Sequence, residues 1–389
     1  MNKKKTLYLM YAIMFIGAFG YIMYSALMTP LRVKYSMTAM QAGMIGSCLM
    51  AGQVAILLLT GLLNKRLKKT QLITLGVILS VISLVLIPVA QDYVFLLISF
   101  FLNGMVCSLL NVSCCAYISD HFPDEREKYI NGFHTVYGIG SLLGPLLPSF
   151  LLTRQLKWEL GYFLIDCLSE VLLVVWFHYN RKSLDTGAKE EVLKEKSPFF
   201  ITLLFKKKYM ALICICGMML IGFDMIISTW LVTYVEDNLQ IVTGAAGIIV
   251  TCYWLGNALG RVIYGIVFSK YDSKRYLLFV NGVGVLVLFA GLLIENLYVL
   301  FAAFILIGML VAANYPLCIS IACEFVPDNS IGATNALCFC ASAGGMIFSM
   351  LAGKLMEAIG SWMLLVLGMT MLFVISAIMM YLSRRLRHS

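Results

Sequence analysis

Asp224 lies in Gly222-Phe223-Asp224-Met225-Ile226-Ile227-Ser228-Thr229-Trp230, near the centre of an otherwise apolar stretch from 209 to 235. A carboxyl group in the middle of a bilayer costs roughly 2.5–3.5 kcal/mol on insertion scales, so it is expected to face a cavity or a partner. Low-dielectric surroundings oppose the charged form of a carboxyl group. That suits a residue which takes up and releases a proton, or which hydrogen-bonds a polar solute. A structural acid held by hydrogen bonds is the competing reading.

Other polar groups sit inside apolar stretches. Asn131, His134 and Gly138 share one helical face by their i, i+3, i+7 spacing. His134 falls roughly 10 Å inside the end of its helix, deep enough to gate an opening or to bond a solute. Asn111, Asn257, Asn314, Tyr315 and Asn335 supply amides and a hydroxyl at depth, while Tyr21, Tyr24 and Trp230 supply aromatic faces. Amides against ring hydroxyls and aromatic rings against an apolar face are what a sugar needs. The substrate-binding set expected is Tyr21, Tyr24, Asn111, His134, Asp224, Trp230, Asn257, Asn314, Tyr315 and Asn335, with Asp224 as the proton-coupling group. Arg261 is expected to snorkel, or to pair with Glu324 or Asp120 in a salt bridge that gates one mouth. Asp166 and Glu170, at i, i+4, have no settled role: their span begins late, or they are protonated and paired with neighbouring spans.

These residues need elements to hold them, and the composition says which. Of 389 residues, 61% are hydrophobic and 13% charged, against about 45–50% and 25% in soluble domains. Twelve apolar segments fall at about 7–29, 39–63, 71–90, 94–119, 129–153, 160–179, 209–235, 244–268, 276–294, 297–323, 331–356 and 361–383. Each is long enough for a ~30 Å hydrocarbon core, and spans there must be helical. The class is an all-α polytopic membrane protein.

Placing the N-terminus in the cytoplasm puts 23 Lys and Arg in inside segments and 5 outside. The bias sets both termini in the cytoplasm of a cell-membrane protein, and the +9 net charge then requires no nucleic acid. Most of the 12 cysteines lie in apolar runs and act as small hydrophobes. No disulfide, metal or cofactor is expected.

Residues 181–208 form the one long polar stretch, a solvated linker between residues 1–180 and 209–389. Within it, Lys189 to Lys196 has acid-to-base spacings that support a surface helix. The two halves repeat at a constant offset of 204: Ala42-Gly43 with Ala246-Gly247, Gly52 with Gly256, Gly104-Met105 with Gly308-Met309, Asp120 with Glu324, and Gly140 with Gly344. The partner of Asp224 at this offset is Gly20, so the acid breaks the symmetry. Two six-helix copies in one orientation match the two halves of major facilitator transporters, where solute binds near the midplane between them.

Asn131-x-x-His134-x-x-Tyr137-Gly138-x-Gly140-x-x-x-Gly144-Pro145, together with Gly222-x-Asp224 and Trp230-Leu231-Val232-Thr233-Tyr234, resembles the fucose and glucose/galactose permease branch of the major facilitator superfamily. The resemblance implies a cation-driven importer of sugars or sugar-like solutes, with Asp224 as the helix-seven acid. Asn111 stands where such permeases often carry a carboxylate. The superfamily loop signature appears as Gly61-Leu62-Leu63-Asn64-Lys65-Arg66-Leu67-Lys68, without its acid and second glycine.

The expected function is secondary active transport of a small polar organic solute, a sugar first, by alternating access. The coupling cation is H+ ahead of Na+. The second reading is a proton-driven drug or metabolite exporter. A transporter-like sensor is disfavoured because 181–208 holds no domain. An enzyme is not expected, since His121, His134, His178 and His388 are scattered. Partners are the solute, the coupling cation and the lipid bilayer, with the chain a monomer.

Overall fold

Backbone N–H and C=O groups find no partners in hydrocarbon, so a chain this apolar must close its hydrogen bonds within helices. A computed structural model of the chain describes every residue except 1–2, 64–66, 123–124, 186–208, 242–245, 269, 294–295, 327–329 and 386–389. Among the described residues the regular elements are all helical. The surface helix expected at 189–196 lies outside them.

In chain order the helices are α1 (Lys3–Ile22), α2 (Met28–Lys34), α3 (Ala39–Leu63), α4 (Lys69–Val89), α5 (Tyr93–His121), α6 (Arg126–Leu143), α7 (Leu146–Thr153) and α8 (Glu159–Asp185). There follow α9 (Met210–Leu239), α10 (Ile248–Ile263), α11 (Ser273–Leu293), α12 (Leu297–Val311), α13 (Asn314–Phe325), α14 (Ser330–Ile359) and α15 (Met363–Arg385). Among the described residues, eleven helices are long and apolar enough to cross a membrane. The remaining expected span, 244–268, is α10 with 16 residues, prolonged by the π-helical turn Tyr264–Phe268. At 1.5 Å per residue α10 alone falls short of a ~30 Å core.

Three expected spans are interrupted, and proline explains each break. Helix α1 gives way to a 3₁₀ turn at Met23–Ala26, α6 and α7 are separated at Gly144 and Pro145, and α12 and α13 at Ala312 and Ala313. Pro30, Pro148 and Pro316 lie four residues beyond Ala26, Gly144 and Ala312. Having no N–H, a proline cannot bond the carbonyl four residues back. Each proline then sits in the first turn of the next helix, where the missing donor costs nothing. Pro88, one residue from the end of α4, leaves that helix whole.

The chain forms two compact units. The first comprises Met1–Leu27, Val33–Tyr35 and Cys48–Lys194; the second comprises Met28–Arg32, Ser36–Ser47 and Glu195–Ser389. In the first, α1 packs on α6 and α8, and α4 on α5 and α8. In the second, α9 packs on α14 and α15, α10 on α12, and α11 on α12 and α15.

Glycine crossings show that the two units repeat one plan. A Cβ on Gly52 would strike the Phe101 carbonyl oxygen, and one on Gly104 the Leu49 carbonyl oxygen. In the second unit Gly256 meets the Ile305 carbonyl oxygen and Gly308 that of Tyr253. All four residues of each set are related by the offset of 204. Gly140 likewise lies on the backbone of α1 at Phe15, and Gly344 on that of α9 at Met218. With no cohesive water to drive them together, membrane helices gain adhesion from such close backbone approach.

Candidate functional site

In the second unit, α9 carries Asp224 and α10 brings Tyr253 to it. The Tyr253 hydroxyl donates to Asp224 Oδ1. Tyr253 is fully buried and Asp224 half-buried. Glycine on α10 makes this possible: Gly256 and Gly260 press one side of the helix onto α12, leaving Tyr253, Asn257 and Arg261 as a stripe at i, i+4 and i+8. Asn257 is buried in that stripe and Arg261 is exposed. Beside Tyr253 stands Trp254, its ring edge-on with centroids 5.6 Å apart. The Trp254 Nε1 and the Thr251 Oγ1 are buried without a hydrogen-bond partner. A buried unpartnered donor is costly, so this face of α10 offers hydrogen bonds that the protein itself leaves unused.

Helix α14 supplies rigidity behind the acid. The Trp230 indole N–H donates to the Ser349 carbonyl oxygen over 2.9 Å, and the Ser349 hydroxyl donates to the Gly43 carbonyl at 2.9 Å. Trp230 is wholly buried; its polar atom is occupied by backbone, and the ring fixes α9 against α14. Asn314 is also buried and donates to Asn281 Oδ1 at 2.8 Å, tying α13 to α11. The Tyr315 hydroxyl reaches the Cys338 thiol at 3.1 Å. Asn335, on α14, is exposed.

The first unit gathers a second polar group from α1, α3, α5 and α6. Gln53 Nε2 donates to the Tyr21 hydroxyl at 2.9 Å. The Cys115 thiol lies 3.5 Å from Asn111 Oδ1 and 3.9 Å from His134 Nε2, linking α5 to α6. Asn111 and His134, on consecutive helices, therefore converge. Tyr24 is buried edge-on against Phe100 at 5.9 Å, in the core of the unit.

The expected gate pairs are differently made. Asp120 is bound by Lys69, and Glu324 by Lys274 at 3.0 Å, in place of Arg261. Each lysine sits at the start of the helix preceding the span that carries the acid, and the two acids are offset by 204. The repeat thus duplicates a lysine–acid ion pair, whereas Arg261 was expected either to snorkel or to pair with one of these acids. Both acids are exposed, and surface pairs of this kind contribute about 0–1 kcal/mol. Of the two acids in α8, Asp166 is buried and Glu170 is exposed, although the span begins at Glu159 as early as expected.

Sequence reasoning passed over Tyr253, Thr251, Gln53 and Cys115. The i, i+4 spacing of Tyr253 to Asn257 was the one signal that pointed to the tyrosine. Gln53 gains its role only from its contact with the preceding span, whereas Cys115 sits four residues after Asn111, a spacing readable in the sequence, and meets His134 on the next helix.

Two helix bundles of one repeated plan, with polar side chains held inside membrane-spanning helices, define a multi-pass membrane transporter. The model of the Major Facilitator Superfamily matches residues 10–242 and 213–389, and the chain belongs to that superfamily. It is 24% identical over 309 residues to the glucose/mannose transporter GlcP of Bacillus subtilis (strain 168), covering 78% of this chain and 76% of that one. It is 18% identical over 330 residues to a TsgA homolog of Buchnera aphidicola subsp. Baizongia pistaciae (strain Bp), covering 83% and 79%. The fold matches that of a bacterial homolog to the human lysosomal transporter Spinster, inward-facing and unoccupied, with TM-score 0.80, 13% identity and coverage of 98% and 97%. It also matches a point mutant of the nucleoside transporter NupG, with TM-score 0.77, 16% identity and coverage of 96% and 99%.

Proposed function

We propose that this chain is a secondary active transporter that moves a small polar organic solute, a sugar, by alternating access coupled to H+ through Asp224. The observation that carries the reading is the Asp224–Tyr253 hydrogen bond. A carboxylate ion-paired directly with a lysine or arginine in a low-dielectric site has little cause to bind a proton. The phenol does not cancel the charge of Asp224, and Arg261, which acts on Asp224 electrostatically, is exposed and makes no ion pair with it. Proton uptake at Asp224 then offsets the cost of leaving the carboxylate in the membrane interior.

The unpartnered donors at Trp254 and Thr251, with Asn257 on the same helix, favour a ligand rich in acceptors. Within the first unit, Asn111, His134, Tyr21 and Gln53 are further polar groups suited to hydroxyls. Hydroxyl groups of a hexose fit such donors, and its apolar ring face fits Trp254. The similarity to a glucose/mannose transporter favours the same class. In this reading residues 1–180 and 209–389 are the two moving bodies, 181–208 joins them in the cytoplasm of the cell, and the protein works as a monomer. Lys69–Asp120 and Lys274–Glu324, with Arg261 on α10, serve the cytoplasmic mouth.

The test is counterflow in proteoliposomes. Vesicles loaded with unlabelled glucose or mannose are expected to accumulate the labelled hexose transiently. Counterflow with a nucleoside or an amino acid, and none with any hexose, would overturn the sugar assignment.

A further inference from the structure

Helix α8 has two unlike sides. Tyr162, Ile165, Ser169 and Trp176 are buried, on the side that packs against α4 and α1. There Trp176 Nε1 donates to Thr74 Oγ1 at 2.7 Å, and Ser169 Oγ donates to Ser80 Oγ at 3.5 Å. On the other side Leu164, Leu168, Val171 and Val174 recur at helical spacing and are exposed. The span is 33% buried, the smallest share among the eleven membrane-length helices. A stripe this apolar belongs against hydrocarbon, not against a water-filled cavity.

Glu170 lies at the edge of that stripe and is exposed. It stands eleven residues after Glu159, roughly 16 Å along the helix, which is the middle of a ~30 Å core. Glu159 marks one end of the span, where it pairs with Lys34 at 2.9 Å. One turn before Glu170, Asp166 is 5% exposed with its Oδ1 unpartnered, and the charge acting on it is that of Glu170. From Glu159 to Asn180 the helix has no Lys or Arg, and among the described residues neither Asp166 nor Glu170 makes an ion pair. Acids at this depth are costly unless something answers them.

We infer that this edge of α8 docks a transmembrane helix of a partner protein that carries an arginine or lysine at mid-membrane depth. Charge complementarity selects the occupant. Lipid headgroups keep their cations at the interface, roughly 15 Å from Glu170, so a spanning helix is what brings a positive charge to this level. A second copy docked through the same face would add two more carboxyl groups and no cation. The apolar stripe supplies the packing, and the ion pair supplies the choice of partner. The surface lies within the first unit and rests neither on Asp224 nor on the identity of the solute.

The test places the full-length protein, donor-labelled at its C-terminus, in phosphatidylcholine vesicles with acceptor-labelled leucine-rich spanning peptides. A peptide with one central arginine is expected to reach half-maximal energy transfer at about a tenfold lower peptide-to-lipid ratio than the same peptide with central glutamine. Glu170→Gln is expected to remove that advantage, as is moving the arginine two turns along the peptide. Should Glu170→Gln fail to fold, Val171→Trp obstructs the stripe and is expected to weaken binding of the arginine peptide severalfold. Equal association of the arginine and glutamine peptides overturns the inference, as does an arginine preference that survives Glu170→Gln or Val171→Trp. Cys167 is exposed on the same helix. Efficient disulfide trapping of Cys167 between two copies, lost in Glu170→Gln, would put a second copy on this face and overturn the basic partner.

Discussion

Tyr253 donates its hydroxyl hydrogen to Asp224 Oδ1, joining α10 to α9 within the second unit. Neither residue has a polar counterpart in the first half, where Gly20 and Leu49 stand at the offset of 204. The two halves share one scaffold, and of these two positions only the second half carries the carboxyl group and the phenol that holds it.

That hydrogen bond should appear as an energetic coupling. A bond from a neutral donor to a charged acceptor contributes about 1.5–3 kcal/mol. Tyr253→Phe, Asp224→Asn and the double variant, followed by thermal or denaturant unfolding, form a double-mutant cycle. A coupling above about 1 kcal/mol is expected; additive losses would show that the two side chains act independently.

The glycine crossings predict a contrast within one residue type. Gly256→Ala and Gly104→Ala each place a methyl group on a facing carbonyl oxygen, and overpacking of this sort costs about 1–3 kcal/mol or more. A Cβ on Gly138 meets nothing within 4 Å, so Gly138→Ala should stabilise α6 by about 0.5–1 kcal/mol through helix propensity. Unfolding midpoints of the three variants decide the point, and equal effects would contradict the crossings.

Much of this architecture is legible in the sequence. Hydropathy alone places the spans, because a membrane leaves the backbone no alternative to helix, and the constant offset announces the repeat whose carbonyl contacts the structure displays. Breaks at Ala26, Gly144 and Ala312 are less visible, since apolar runs continue straight through them and only the prolines at or just beyond them give them away. Site residues divide by the same logic. Asp224 stands out because a carboxylate in hydrocarbon is costly, whereas the contacts of Gln53 with Tyr21 and of Cys115 with His134 arise only when α1, α3, α5 and α6 converge. Arg261 illustrates the limit: its helix and depth are readable, but the ion-pair partners of Asp120 and Glu324 depend on side-chain reach that no spacing rule gives.

Trp230 is an anchor by its geometry. Trp230→Phe removes the indole donor to Ser349 and is expected to lower stability by about 0.5–1.5 kcal/mol, the net contribution of one hydrogen bond, since the Ser349 carbonyl lies inside α14 and keeps its helical partner. Solute affinity should stay within about threefold. A large affinity loss at unchanged stability would place the ring in the solute site instead.

Asn111 and His134 are brought together through Cys115. If they face the solute, Asn111→Ala and His134→Ala each weaken solute binding by about tenfold, equivalent to about 1.4 kcal/mol. Isothermal titration on folded variants measures this, and unaltered affinity in both would remove the first-unit cluster from the binding surface.

The central claim concerns the proton carried by Asp224, and Asp224→Asn in proteoliposomes tests it most directly. The amide keeps a polar group beside Tyr253 but cannot exchange a proton. Solute exchange is expected to continue while accumulation driven by a proton gradient stops. Uphill uptake at the unaltered rate in the Asp224→Asn protein would contradict the account.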